Sequence, residues 1–280
     1  MTEANRTQAE YWASAAGLKW IEHEEALDTA MSGMLGMMLD AAEIQASDRV
    51  LDIGCGTGAS TLGAAHRVPA GEVLGVDISA PLLDRARDRA RRLGIGNAAF
   101  LLADAQSHVF DGPPFGVLVS RIGMSFFSDT VAGLRNLAGA MAPGGRMAFV
   151  SWAGTDINPW FLLPRIAAEA RLGPAPNADP NAPGPTAFQD AARVAALMHE
   201  AGLFDISAAP VEIVLTPPNG IPGAAAASRV GPAARIMKAH RGTRDDEAAI
   251  EDAVATAFAP FETDGAVVVP AVVNLFTCTT

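Results

Sequence analysis

Hydrophobic positions along this chain change their period in a regular way. Short continuous apolar runs occupy residues 50–53, 73–76, 100–103, 115–119 and 147–152, each too brief for an ordinary helix. Between them lie stretches with apolar residues at helical spacing, at 60–67, 81–93 and 128–141. Continuous runs fit strands buried on both faces, and the helices between them supply the crossovers that parallel strands require. Four such repeats in succession predict a parallel sheet covered on both sides. Any binding site then belongs at the carboxyl ends of the strands.

Past Trp152 the alternation loosens. Residues 161–171 suit a short helix, 173–185 a proline-rich loop, 188–201 a helix ending at Gly202, and 206–215 a sixth strand. Residues 217–261 read as mostly alanine-rich helix, including the stretch 230–235. A last strand over 267–277 is expected to run antiparallel and close the sheet, with Pro270 delaying its pairing until Ala271. Ahead of the first strand, helices are expected over 7–17 and 20–42, the second carrying the stripe Ile21, Leu27, Met31, Met34, Leu35, Met38 and Leu39. This segment either packs as a fixed element or acts as a lid, because Tyr11, Trp12 and Trp20 gather aromatic rings directly ahead of the binding strand. Both readings stand at this point.

The first strand runs into Gly54-Cys55-Gly56-Thr57-Gly58 and then a helix. Glycines between a strand and a helix allow positive φ and let backbone N–H groups approach a ligand closely. Asp77 ends the second strand about twenty residues on, where a carboxylate can accept from ribose hydroxyls. Ser79, followed by Pro81, is expected to cap the next helix and so leave Asp77 for that task. The glycines also fit the looser dinucleotide spacing Gly54-x-Gly56-x-x-Ala59, so alone they do not name the ligand, and an NAD-dependent oxidoreductase would use them in the same way.

Composition narrows the classes. A chain of 280 residues, half of them hydrophobic and 18% charged, can bury a full core. A net charge of −11 argues against nucleic acid or an anionic membrane as partner. Arg85, Arg87, Arg89, Arg91 and Arg92 interleave with Asp84 and Asp88 on one helix and read as a solvated face. The N-terminus is polar, without the apolar run of a signal peptide. The two cysteines, Cys55 and Cys278, lack metal-ligand spacing, which together imply a cytoplasmic protein.

What separates the nucleotide readings is Asp52, two residues before the first glycine. Asp52-x-Gly54-x-Gly56-x-Gly58 resembles the first motif of the class I S-adenosylmethionine (SAM) dependent methyltransferases. The turn Met141-Ala142-Pro143-Gly144-Gly145 resembles the same family's entry to its fifth strand. The stretch Ser120-Arg121-Ile122-Gly123-Met124-Ser125-Phe126-Phe127 looks closer to its ubiquinone/menaquinone-type small-molecule branch than to the branches that methylate proteins or nucleic acids. The resemblance implies a Rossmann-like α/β fold: a seven-stranded, mostly parallel sheet with helices on both faces. It also implies an N-terminal helical lid (1–45), a SAM-binding core (46–153), and a completing region (154–280) with substrate-cap insertions at about 154–187 and 217–262.

For the site, the resemblance implies that Asp104 bonds the adenine amino group and that the backbone N–H of Ala105 faces the ring. The full cofactor set it implies is Tyr11, Trp20, Asp52, Gly54, Cys55, Gly56, Asp77, Ile78, Asp104, Ala105, Ser120 and Arg121. Trp12, Met124, Phe127, Trp152 and Trp160 are expected against a small-molecule methyl acceptor, and S-adenosylhomocysteine is the expected product. Strands four and five end in Ser120-Arg121 and Ser151-Trp152 rather than carboxylates, so no catalytic metal is expected. His23, His108, His199 and His240 are read as surface or structural. Arg121, a charge at the end of an apolar strand, requires a partner, either Asp52 or another acid, or an anionic ligand. A SAM-binding protein that transfers no methyl group remains a further alternative.

Overall fold

The computed structural model of the protein describes residues 3–177, 179–226 and 231–280. Seven strands form one sheet: β1 (Arg49–Ile53), β2 (Glu72–Asp77), β3 (Ala98–Leu102), β4 (Phe115–Arg121), β5 (Met141–Trp152), β6 (Phe204–Leu215) and β7 (Val269–Thr279). Their spatial order is β3-β2-β1-β4-β5-β7-β6. Pairings from β3 across to β5 are parallel, whereas β7 runs antiparallel to both β5 and β6. The order reverses direction between β1 and β4, so their carboxyl ends open a crevice there.

Strand periodicity divides the core into two layers. Val50, Val117 and Val119 point to one face, against Met34 and Met38 from α4 (Ser32–Ala41). Leu51, Ile53 and Leu118 point to the other, against Leu134 and Leu137 from α7 (Thr130–Ala140) and Val194 and Met198 from α9 (Ala191–Glu200). Helices α5 (Ala59–Arg67) and α6 (Ala80–Arg92) provide the first two crossovers. After β5, α8 (Pro159–Leu172), α10 (Gly220–Ala226), α11 (Pro232–His240) and α12 (Arg244–Phe258) gather on the first face, where Phe161, Ile236, Val254 and Phe258 join its core. Residues 227–230, within the expected alanine-rich helix, lie outside the described residues.

Several expectations change. The helix expected over 20–42 is broken at His23 and Met31, giving α2 (Ala15–Glu22), α3 (Glu24–Ala30) and α4 behind α1 (Glu3–Ala13). The breaks turn different faces of the segment inward: α3 presents Glu24 and Asp28 to α6, and α4 presents methionines to the sheet. Pro270 is paired after all, opposite Val214. There β7 has β6 as its sole neighbour, because pairing with β5 stops at Val273, so the missing N–H faces no strand. The turn at Ala142–Arg146 is absorbed into β5 as an irregularity, the register stepping from Phe115↔Met141 to Val117↔Arg146.

One backbone contact fixes the site's floor. A Cβ built on Gly54 would lie 2.5 Å from the Cα of Gly123, and one on Gly123 would lie 2.5 Å from the carbonyl oxygen of Ile53. The turn after β1 and the loop after β4 therefore touch backbone to backbone. Gly123→Ala is expected to destabilise the fold by about 1–3 kcal/mol through overpacking that no flexible side chain can relieve. Gly139→Ala, on the exposed face of α7 with open space around it, should instead add about 0.5–1 kcal/mol. Chemical denaturation of the two variants checks both signs.

Candidate active site

The glycine turn is held from β2. The N–H groups of Gly54 and Cys55 both donate to the carbonyl of Val76, at 2.8 and 3.1 Å. The N–H of Gly56 donates to Oδ2 of Asp77 at 2.8 Å, while Oδ1 accepts from the N–H of Ser79 at 2.8 Å. Gly56 has φ +55° and nothing within 4 Å of where its Cβ would stand. An open face beside a backbone that requires glycine is a cradle into which a ligand can settle. Burial pushes the Asp77 carboxyl above its ordinary pKa, opposed by these backbone hydrogen bonds. A carboxylate has about four acceptor positions, so two N–H partners leave Asp77 capacity for ribose hydroxyls.

Ser79 precedes α6 but does not cap it. Its hydroxyl donates instead to the carbonyl of Trp12, 3.0 Å away in α1. The N-terminal segment thus lies across the ends of β2 and β3. Asp104, just beyond β3, accepts from the Asn5 amide at 3.0 and 2.9 Å, from the N–H of Gln106 and from the hydroxyl of Ser107. Asn5 belongs to α1, and its contact with an acid 99 residues away has no signal in the sequence. Trp12 packs edge-on against Tyr11, Trp20 and Phe126, with ring centroids 5.3, 6.0 and 5.5 Å apart. Phe126, to which the sequence reading gave no role, therefore joins the aromatic rings of the N-terminal segment.

Beneath this cover runs a chain of charges. Glu24 accepts from Arg85, with Nε at 2.7 Å, and Asp28 bridges Arg89 at 2.9 Å and Arg121 at 2.8 Å. Residues four apart share a helix face, which brings Glu24 and Asp28 of α3 opposite Arg85 and Arg89 of α6. Arg89 also donates to the carbonyl and hydroxyl of Thr57, both at 3.1 Å, inside the glycine turn. Arg85 and Arg89 are consequently not part of a solvated face. The partner of Arg121 is Asp28, not Asp52.

Asp52 is fully buried, its Oδ2 accepting from Ser60 at 2.7 Å and Thr61 at 2.6 Å, while Oδ1 has no partner. Burial raises its pKa from 3.8 to about 6, against the lowering effect of those hydroxyls and of the Arg121 charge. Ser120 is buried as well: it donates to the carbonyl of Ile53 at 2.7 Å and accepts from the N–H of Met124 at 3.1 Å, bracing β4 against β1.

The expected acceptor residues scatter. Met124 is buried in the second core, while Trp152 is buried in the first, edge-on to Phe161 at 4.9 Å. Trp160 lies tilted against Phe258, and Phe127 packs over Gly133 of α7. Trp12 alone of that set stays with the cover. Ala105 is buried beside Asp104, Cys55 is buried in the turn with its thiol pushed upward by burial, and Ile78 separates Asp77 from Ser79. His108 stacks edge-on against Phe110, and His240 meets the carbonyl of Pro174 at 3.0 Å.

Comparison with known proteins identifies the central segment. Residues 50–145, from the first strand to the turn inside β5, match the model of a methyltransferase domain. Aklanonic acid methyltransferase DauC of Streptomyces sp. (strain C5) is 35% identical over 115 residues, 41% of this chain and 52% of that protein. The demethylmenaquinone methyltransferase of Thermus thermophilus is 34% identical over 128 residues, 46% of this chain and 58% of that one. The chain thus spans little more than half the length of these relatives. The YcgJ protein of Bacillus subtilis shares the fold with a TM-score of 0.55 at 21% identity, covering 88% of this chain and 97% of that one. No helix among the described residues is long and apolar enough to cross a membrane.

The raised pKa of Asp52 has a signed consequence for stability. Its folded value lies above the ordinary one, so the ionised group opposes folding above about pH 6 and is relieved as pH falls towards 4. A rise from 3.8 to about 6 corresponds to a destabilisation of at most about 3 kcal/mol. Asp52→Asn can still accept from Ser60 and Thr61. Its melting temperature relative to the wild type should therefore be higher at pH 8 than at pH 5, and a difference independent of pH would count against the assignment.

Proposed function

We propose that the protein transfers a methyl group from SAM to a small-molecule acceptor, releasing S-adenosylhomocysteine. The observation that carries this reading is the clamp of Asp77 on Gly56, which places a carboxylate with spare acceptor positions beside an open, positive-φ glycine. The residues present fit the cofactor. Asp77 receives the ribose hydroxyls, Ala105 lies against the adenine edge, and Asp104 takes the adenine amino group in place of Asn5, which now holds both its oxygens; Gly54 and Gly56 form the floor. Small-molecule methylation by the relatives named above supports the same acceptor class.

When bound, the cofactor supplies an electrophilic methyl group on a sulfonium. The protein's own contribution is placement and exclusion of water. Trp12, Trp20 and Phe126 roof the crevice with rings that present no hydrogen-bonding charge to a cation, and ring faces are mildly attractive to one. Asp52 holds the start of α5, keeping the glycine turn in register with β1. An acceptor that must lose a proton needs a base, and we assign none.

Calorimetry with SAM, and with NAD as the contrasting nucleotide, tests the cofactor reading directly. Asp77→Ala should weaken SAM binding by tenfold or more, equivalent to about 1.4 kcal/mol. It should also lower the melting temperature modestly, since the N–H groups of Gly56 and Ser79 lose their acceptor. Unchanged SAM affinity would remove Asp77 from the site. SAM binding without S-adenosylhomocysteine formation across an acceptor panel would mark a binder rather than a transferase.

A further inference from the structure

The two acids at the ends of β2 and β3 are unequally engaged. Asp77 accepts from two backbone N–H groups and keeps capacity for more. Asp104 does not. Its Oδ1 accepts from the Asn5 amide at 3.0 Å and from the N–H of Gln106 at 3.1 Å. Its Oδ2 accepts from the same amide at 2.9 Å and from the hydroxyl of Ser107 at 2.9 Å. A carboxylate has about four acceptor positions, so in this conformation Asp104 is closed to a further donor.

The donors differ in how firmly they are held. Gln106 and Ser107 follow Asp104 in one loop, which is pinned from α7 and the residues before it. Asn136 donates to the carbonyls of Ala105 and His108 at 3.0 and 2.8 Å, and Oε1 of Gln106 accepts from Ser128 and from the N–H of Asp129. Asn5 comes instead from the first turn of α1, 99 residues away, and its side chain is buried. About two helical turns on, Trp12 anchors the same helix, its carbonyl accepting from Ser79 at 3.0 Å and its ring set edge-on to Phe126. Helix ends open at little cost, so the Asn5 end can leave while the Trp12 end stays.

The chemistry of the contact is specific. A primary amide and adenine offer the same donor, an NH2 group on a planar carbon. Asp104 now receives one such nitrogen across both its oxygens. Asn5 thereby makes the contact that the adenine amino group makes in the proposed complex.

We propose that Asn5 is an internal competitor for adenine: the first turn of α1 must give up Asp104 before the cofactor's amino group can take it, and the N-terminal segment thus holds cofactor affinity down. This rests on the reading of SAM as cofactor, with adenine at Asp104. The sign is opposite to that of a lid. A lid adds contacts to its ligand, and losing one of them weakens binding. Losing a competitor strengthens binding, because apparent affinity is the intrinsic affinity reduced by the fraction of molecules in which Asp104 is free.

Calorimetry with S-adenosylhomocysteine on the full chain, beside melting of the same proteins without ligand, tests this. Asn5→Ala is expected to bind S-adenosylhomocysteine at least threefold more tightly than the wild type, with a melting temperature that is unchanged or lower. Asn5→Asp removes both amide hydrogens and sets a like charge against Asp104; it should move affinity in the same direction, and it carries the test if Asn5→Ala does not fold. Affinity that is unchanged or weaker in the variants would overturn the inference and leave the cofactor reading standing, weaker binding meaning that Asn5 holds Asp104 in place for adenine. Wild type and variants that all bind neither SAM nor S-adenosylhomocysteine would instead bring down the cofactor reading, and this inference with it.

Discussion

Asp28 is an acid bonded to two guanidinium groups that belong to different parts of the fold, Arg89 on the second crossover helix and Arg121 at the end of β4. Because all three side chains are less than one-fifth exposed, their charges interact through protein more than through water, and removal of one leaves the others uncompensated. A buried charge that loses its partner costs about 3–5 kcal/mol, far more than an exposed pair is worth. The N-terminal helices are therefore not an appendage resting on the sheet. Their seat is electrostatic at α3 and aromatic at Trp12, and both seats lie over the carboxyl ends of the central strands.

That arrangement explains why the long N-terminal helix expected from the apolar stripe is cut into pieces. A single straight helix would keep Leu27, Met31, Met34 and Met38 on one side and carry Glu24 and Asp28 wherever that rotation left them. Breaks at His23 and Met31 let α3 turn its acids to α6 while α4 turns its methionines to the sheet. The cost of interrupting a helix is small beside that of desolvating unpaired carboxylates.

The sheet and its order were legible because they depend on local pattern: continuous apolar strands, glycine turns and short crossovers leave few topologies. The placement of Asp52, Gly56 and Asp77 was legible for the same reason, each sitting at a fixed offset from the end of a strand. What was not legible depends on contacts between distant segments. Asn5 meets Asp104 across 99 residues, and Arg85 meets Glu24 across 61. In sequence, Arg85 already has an acid at helical spacing, Asp88, which it does bond in the fold, and Arg89 stands in the same run of alternating charges. A helical charge pattern cannot tell an arginine satisfied within its helix from one that also grips another. The residues expected against the acceptor part company for a related reason. Met124 and Trp152 lie next to strand ends, where one residue of alternation decides between crevice and core, and both fall to the core.

A cluster of buried polar groups lies where the strand order reverses, between β1 and β4. Away from the crevice the sheet is filled mainly by Val, Leu, Phe and Met side chains, with Ser151 and Asn274 buried among them and bonded to backbone carbonyls. Around β1 and β4 the buried groups are Asp52, Ser60, Thr61, Ser120 and Arg121, and most of their atoms serve to hold the glycine turn, the β4 loop and the cover in place. Ser120 shows the logic in small: one hydroxyl bonds both Ile53 and Met124, bracing the two backbone segments whose glycines touch. With its hydrogen bonds already closed, Ser120 adds rigidity rather than recognition. Oε2 of Glu24 is also without a hydrogen bond, but it faces the Arg89 guanidinium at 3.9 Å, so the protein itself balances its charge. Oδ1 of Asp52, Nη1 of Arg121 and Nε of Arg165 are the other buried polar side-chain atoms without a hydrogen bond among the described residues.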